Sequence, residues 1–224
     1  MSQQISRRRL LASGLGLAFG ATAARAEHPF YGGTDFTRDP ALIPPKEAVQ
    51  DFPIQSYEQN LPREFQRQQV TIGVNNPQGV IVVDPENRHL YFMLGGDQAI
   101  RYGVGVGREG FAWSGNAVIG MKRKWPRWLP PESMVERDPH AQKWANGMPG
   151  GPENPLGARA LYLFANGYDT LYRIHGTNEP SSIGKAMSSG CIRMLNEDAV
   201  DLFERVHVGS PVKVLAAQNH TAAN

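Results

Sequence analysis

Apolar residues in this chain fall in short runs broken by glycine, proline, asparagine and aspartate. From residue 70 the runs are β-like. Val80-Ile81-Val82-Val83 is β-branched and stops at Asp84-Pro85-Glu86-Asn87. His89-Leu90-Tyr91-Phe92-Met93 follows, then a turn at Gly95-Gly96-Asp97, then Ala99-Ile100-Arg101-Tyr102-Gly103-Val104-Gly105-Val106. Three short strands punctuated by turn residues predict an antiparallel meander. Residues 116–121 predict a further strand. Residues 160–164 and 170–174 predict a hairpin through Asn166-Gly167-Tyr168-Asp169, which leaves His175 at the end of its second strand.

One stretch keeps a helical period. Ala199, Leu202, Phe203 and Val206 recur at i, i+3, i+4 and i+7 and share one face. Asn196 is the expected N-cap, and Glu197 and Asp198 suit the positive end of the helix dipole. Gly209 and Pro211 end it, and residues 212–215 predict a last strand. Residues 27–69 have no long apolar period and carry Ile43-Pro44-Pro45 and Asn60-Leu61-Pro62. They predict an extended segment, lying on the domain or linking it to the membrane side, with one helical turn at 62–67. The expected fold is mostly β with one main helix, in a domain over residues 70–216 and a flexible tail over 217–224.

Composition agrees with one globular domain plus an appendage: 224 residues, 41% hydrophobic and 20% charged. The N-terminus changes the picture. Ser6-Arg7-Arg8-Arg9-Leu10-Leu11 matches a twin-arginine export signal, an apolar stretch over 10–23 follows, and Ala24-Arg25-Ala26 offers a cleavage site. The apolar run is shorter than the ~20 residues a membrane span needs. The expectation is a signal peptide over 1–26, cleaved after Ala26, and a periplasmic mature protein.

Export also resets the charge. Residues 1–26 hold Arg7, Arg8, Arg9 and Arg25 and no acid, so the remainder has 19 basic residues (23 less these four) against 21 acidic. A net of −2 gives no reason to expect nucleic acid as a partner. One cysteine in an oxidising compartment cannot form an intramolecular bridge, so its presence calls for burial, an intermolecular bridge or use as a nucleophile.

Three other motifs carry less. Gly105-Val106-Gly107-Arg108-Glu109-Gly110 spells G-x-G-x-x-G, but Phe111-Ala112-Trp113-Ser114 starts a helix poorly and the sequence downstream is basic. Glycines that let a strand end turn are the better account. Residues 122–131, with Trp125, Arg127 and Trp128, read as a solvated loop packed by its own rings or as a wall over a substrate cleft. The six histidines are scattered and no second cysteine exists, so neither a metal site nor a cofactor is expected.

Cys191 stands 16 positions after His175, the difference of their numbers. A free thiol has a pKa of about 8.5 and needs a base or a cation to react near neutrality. His175 supplies one if the chain between them returns Cys191 to the strand end. Gly190 would let backbone N–H groups face a reacting carbonyl as an oxyanion hole. Arg193 would hold a substrate carboxylate or orient the loop through an ion pair. A small core hydrophobe is the plain alternative for a lone cysteine, but Ser188-Ser189-Gly190 and Arg193 are polar and turn-like.

His175-Gly176-Thr177-Asn178 with Ser188-Ser189-Gly190-Cys191-Ile192-Arg193-Met194 resembles the signature of the L,D-transpeptidase catalytic domain (YkuD-like) family. The likeness covers about residues 75–215. The resemblance implies a β-sandwich or barrel-like catalytic fold and a peptidoglycan substrate. It implies Cys191 as nucleophile, His175 as acid/base, and Gly176, Ser189 and Gly190 around the ring and the oxyanion. Arg193 and Trp128 are the candidate substrate-binding residues. The acceptor it implies is a second meso-diaminopimelate stem, or an outer-membrane protein or lipoprotein. Many members carry Ser-His-Gly-Cys where this chain has Ser188-Ser189-Gly190-Cys191.

Overall fold

A computed structural model describes residues 50–108, 113–188 and 190–216. The expected signal peptide and cleavage site, the tail over 217–224 and Ser189 lie outside the described residues.

The strands are β1 (Gln68–Asn76), β2 (Ile81–Asp84), β3 (His89–Gly103), β4 (Val106–Gly107), β5 (Gly115–Lys124), β6 (Arg159–Ala165), β7 (Tyr168–His175), β8 (Ala186–Ser188), β9 (Ile192–Arg193) and β10 (Pro211–Val214). The helices are α1 (Glu132–Val135), α2 (Pro139–Lys143) and α3 (Asn196–Arg205). Eight strands form one sheet in the order β1-β3-β2-β10-β5-β6-β7-β9, and β4 pairs with β8 in a second, two-stranded sheet. The fold is mostly β, as the short apolar runs predict.

Side-chain alternation splits β2 and β3 between two cores. Ile81, Val83, Leu90 and Phe92 join the large cluster that α3 covers with Ala199, Leu202 and Phe203. Val82, Tyr91 and Met93 point the other way, into a smaller cluster with Ile72 and Ala99. Burial on both faces explains why these strands read as unbroken apolar runs instead of alternating ones.

Three expectations need correction. Gly95-Gly96 does not close a hairpin: β3 runs through both glycines, which take positive φ of 97° and 62°. Its first half pairs with β2 and its second half with β1, so the chain bends there and changes partner. Asn196 is not the N-cap of α3. Leu195 occupies that position without a side-chain cap, because the Asn196 side chain is engaged elsewhere. Residues 122–124 are the end of β5, not loop. Lys122 Nζ donates to the carbonyls of Phe203 (2.5 Å) and Val206 (2.6 Å), satisfying the C-terminal end of α3.

Between β5 and β6 the chain makes an excursion over residues 125–158. Asn154 is fully buried at its base and donates to the carbonyls of Pro126 and Pro149, both at 3.0 Å. Residues 50–67 lie across the domain. Asp51 accepts from Trp125 Nε1 (2.6 Å), and Glu197 Oε1 accepts from the N–H groups of Tyr57 (2.6 Å) and Glu58 (3.2 Å).

Candidate active site

The hairpin of β6 and β7 carries His175 to the last position of β7, as the sequence predicts. β9 then runs parallel to β7, pairing Ile174 with Ile192 and His175 with Arg193. One step back along that register sit Arg173 and Cys191. The return loop is guided in stages. A 3-10 turn at Pro180–Ser182 is followed by Gly184 N–H donating to Val104 O (3.1 Å), and β8 then pairs with β4. Gly105 exchanges both backbone hydrogen bonds with Arg193, at 2.9 and 2.8 Å. A Cβ on Gly105 would stand 2.7 Å from Ser182 O, so only glycine fits. That close approach accounts for the first glycine of the G-x-G-x-x-G spelling.

His175 is buried and held on every side. Met194 N–H donates to its carbonyl (2.8 Å), and Gly176 N–H donates to Arg159 O (2.9 Å). Its Nδ1 lies 2.6 Å from Gly176 O. A carbonyl only accepts, so Nδ1 carries the hydrogen and Nε2 keeps its lone pair in the neutral ring. Burial pushes the imidazole pKa down to about 4; the Gly176 bond opposes this, while Arg193 and Arg173 add to it. The ring is therefore neutral at pH 7.

Cys191 is half-buried. Burial pushes its thiol up; the Arg173 charge, the Arg173 backbone N–H and Arg193 pull it down, and Asp169 pushes it up. The two shifts agree: His175 resists a proton and Cys191 resists losing one. At pH 7 both groups rest neutral, a thiol on one side and an imidazole on the other. Such an arrangement can carry out attack by a thiol whose proton leaves to a nearby nitrogen in the same step.

Gly190 takes φ +130°, open to glycine and strained for other residues. Its N–H donates to Ser188 Oγ (3.2 Å), and that hydroxyl donates to Cys191 O (2.6 Å). The expected oxyanion donor is thus engaged in the resting loop. Arg193 Nη1 pairs with Glu179 Oε2 at 2.8 Å, tying β9 to the return loop. Trp128 packs within the excursion. Its backbone N–H and C=O bridge to Met148, and its ring stacks on His140 at 6.2 Å.

Sequence reasoning missed three neighbours. Ser188 organises the turn into Cys191. Asn196 Oδ1 accepts from Ala158 N–H (2.9 Å), and its Nδ2 donates to Thr177 O (3.0 Å), bracing the chain just after His175. Arg173, two residues before His175, lies beside the cysteine. A polar residue at i−3 of Cys191 was the available signal for Ser188; the other two depend on contacts distant in sequence or on a bulge.

The model of the "L,D-transpeptidase catalytic domain" (YkuD) matches residues 78–214. Over 146 residues the chain is 36% identical to "Probable L,D-transpeptidase YbiS" of Escherichia coli K12, covering 62% of this chain and 44% of that protein. "Probable L,D-transpeptidase ErfK/SrfK" of the same strain is 34% identical over 140 residues, 61% of this chain and 44% of that one. The chain spans less than half the length of these curated relatives. A crystal structure of a "Probable carnitine operon oxidoreductase caia" from Brucella melitensis is 46% identical, covering 71% of this chain and 98% of that one, with a TM-score of 0.48. With the family domain matched over most of the chain and both signature segments inside the match, the chain belongs to the L,D-transpeptidase catalytic domain (YkuD) family.

Proposed function

We propose that this protein is an L,D-transpeptidase that acts on peptidoglycan stem tetrapeptides through a thioester on Cys191. The observation that carries the reading is the 2.6 Å contact between His175 Nδ1 and Gly176 O at the strand end that β9 joins. It leaves Nε2 as a proton acceptor at the end of β7, the strand that β9 joins directly after Cys191.

In this reading Nε2 takes the thiol proton as sulfur attacks the carbonyl between the L-centre of meso-diaminopimelate and the terminal D-alanine. The C–S bond forms, the C–N bond breaks, and the imidazolium returns its proton to the departing amine. A second stem's diaminopimelate amine then attacks the thioester and gives a proton to His175. The C–S bond breaks, and the products are a 3→3 cross-link and the restored thiol. Backbone N–H groups of Gly190 and Cys191 would hold the oxyanion, once Gly190 leaves Ser188 Oγ. An amine of an outer-membrane protein or lipoprotein would be attached to the wall by the same second step, and water would give carboxypeptidase activity. The twin-arginine-type segment would deliver the enzyme to the periplasm, where this substrate lies. Arg193 and Trp128 remain the proposed substrate-binding residues.

Intact-mass analysis with a carbapenem should show one adduct on the wild type and none on Cys191→Ala. Incubation with disaccharide-tetrapeptide and a D-amino acid should exchange the terminal residue. Release of D-alanine without exchange would replace transfer by hydrolysis, and an unlabelled wild type would remove the nucleophile.

A further inference from the structure

Arg173 stands beside Cys191 across the β7–β9 ladder. Its guanidinium makes a two-pronged pair with Asp169, Nη1 to Oδ1 at 2.6 Å and Nη2 to Oδ2 at 2.7 Å. The Asp169 side chain is wholly buried and that of Arg173 is 13% exposed. The guanidinium also lies 4.3 Å over the Tyr162 ring. Removing both charges from water is costly, and apolar residues of similar size often serve stability as well. The clamp therefore invites a role beyond folding.

The local chain is shaped to make it. Tyr162 pairs with Arg173 and Phe164 with Asp169, so four steps along β7 match two along β6. Leu171 takes φ +64° inside this bulge, which brings Asp169 back under the guanidinium. On the other side, the β7–β9 register sets Arg173 beside Cys191. The charged or titratable groups that act on the sulfur are Arg173, Arg193 and Asp169, with the Tyr162 and Tyr172 phenols beside it, and His175 ends the same strand, β7. His175 is neutral and cannot supply positive charge. Arg193 shares its charge with the exposed Glu179. Burial raises both phenols, and the Cys191 charge adds to it.

We infer that Arg173 is a positioning residue for Cys191, a fixed cation held in place by Asp169 and Tyr162 whose field favours the thiolate that forms during attack. Asp169 sets the strength of that field as well as its place. The inference rests on Cys191 being the nucleophile proposed above.

Its test uses the sign of the effect. Arg173→Gln and Asp169→Asn break the same clamp, so a merely structural role would move both variants the same way. An electrostatic role moves them oppositely. The pH midpoint of iodoacetamide alkylation of Cys191 should rise by about one unit in Arg173→Gln. It should fall in Asp169→Asn, where the cation loses its counter-charge, and Arg173→Lys should recover most of the wild-type midpoint. If Arg173→Gln does not fold, the downward shift in Asp169→Asn alone decides. Shifts in one direction for both variants, or no shift in Asp169→Asn, overturn the inference. Alkylation reads the thiol without a peptidoglycan substrate, so these midpoints would still separate if the transfer assay failed.

Discussion

The side-chain oxygen of Asn196 fills the space that a Cβ on Gly176 would need. That oxygen also accepts from Ala158 N–H, while the amide nitrogen holds Thr177 O. One side chain thus fixes the segment that follows His175, whose ring donates to Gly176 O.

Two substitutions test this brace. Asn196→Ala leaves Ala158 N–H and Thr177 O without their partner, at a cost of about 2–4 kcal/mol. Gly176→Ala forces Asn196 aside, for about 1–3 kcal/mol of overpacking. Both should slow carbapenem acylation of Cys191 at least about tenfold, more than their effect on urea midpoints alone would suggest, because the Gly176 carbonyl sets the His175 tautomer. Acylation at the wild-type rate in a folded Asn196→Ala protein would remove the brace from the mechanism.

Neutral His175 predicts the shape of the pH profile. Its pKa falls from 6.5 to about 4 in the fold, so the acid limb of acylation should lie near pH 4–5 and the rate should hold between pH 7 and 5.5. Stability follows the same shift. The unfolded chain takes up the histidine proton as pH falls through 6.5, and the folded chain does not until about 4. Between those values the native state loses up to about 3 kcal/mol from this residue. Urea unfolding of wild type and His175→Gln at pH 7 and pH 4.5 isolates the contribution: the wild type should lose more on acidification.

Asp198 works in the opposite direction. It is fully buried on α3, both carboxyl oxygens lack a hydrogen-bond donor, and Arg67 Nη1 stands 3.6 Å away. Burial raises its pKa to about 7; Arg67 opposes that, and Glu197, Glu58 and Asp201 add to it. The folded state therefore keeps a proton that the unfolded chain loses above about 4. Stability from this group falls as pH rises from 4 to 7, by up to about 4 kcal/mol. Asp198→Asn should raise the melting temperature at pH 8 and change it little at pH 4. A lower melting temperature at pH 8 would mean that the carboxylate is held by Arg67 more strongly than its burial opposes.

What the sequence discloses and what it hides divide along physical lines. Asn166-Gly167 between two short strand-like runs announces the β6–β7 hairpin, and so places His175. The Leu202-Phe203 face announces α3. The path of β3 is hidden because a glycine pair reads as a turn, while the choice of β1 as a second partner depends on residues about 30 positions away. Helices α1 and α2 are four and five residues long, too short for a period to show. The Arg173–Asp169 clamp is hidden for a geometric reason: four residues of ordinary strand span about 13 Å, and only the bulge at Leu171 closes that gap. Asn196 was legible as a polar residue at a helix start, but a cap and a brace have the same spelling.

Ser188 poses the last question, because its hydroxyl both helps and obstructs. It holds Cys191 O (2.6 Å) and occupies Gly190 N–H (3.2 Å), the donor an oxyanion would want. In Ser188→Ala that N–H is freed, but the Cys191 carbonyl loses its partner. The shorter bond belongs to Cys191, the proposed nucleophile, and an unmet carbonyl in a part-buried setting costs about 1–3 kcal/mol. Gly190 can rotate toward an incoming oxyanion at little cost, since its φ is already in a region that glycine tolerates. Loss of order should therefore outweigh the freed donor. Stopped-flow acylation should slow about tenfold in Ser188→Ala and recover in Ser188→Thr, which keeps the hydroxyl. Faster acylation in Ser188→Ala would reverse the ranking and make Ser188 a restraint on the oxyanion site.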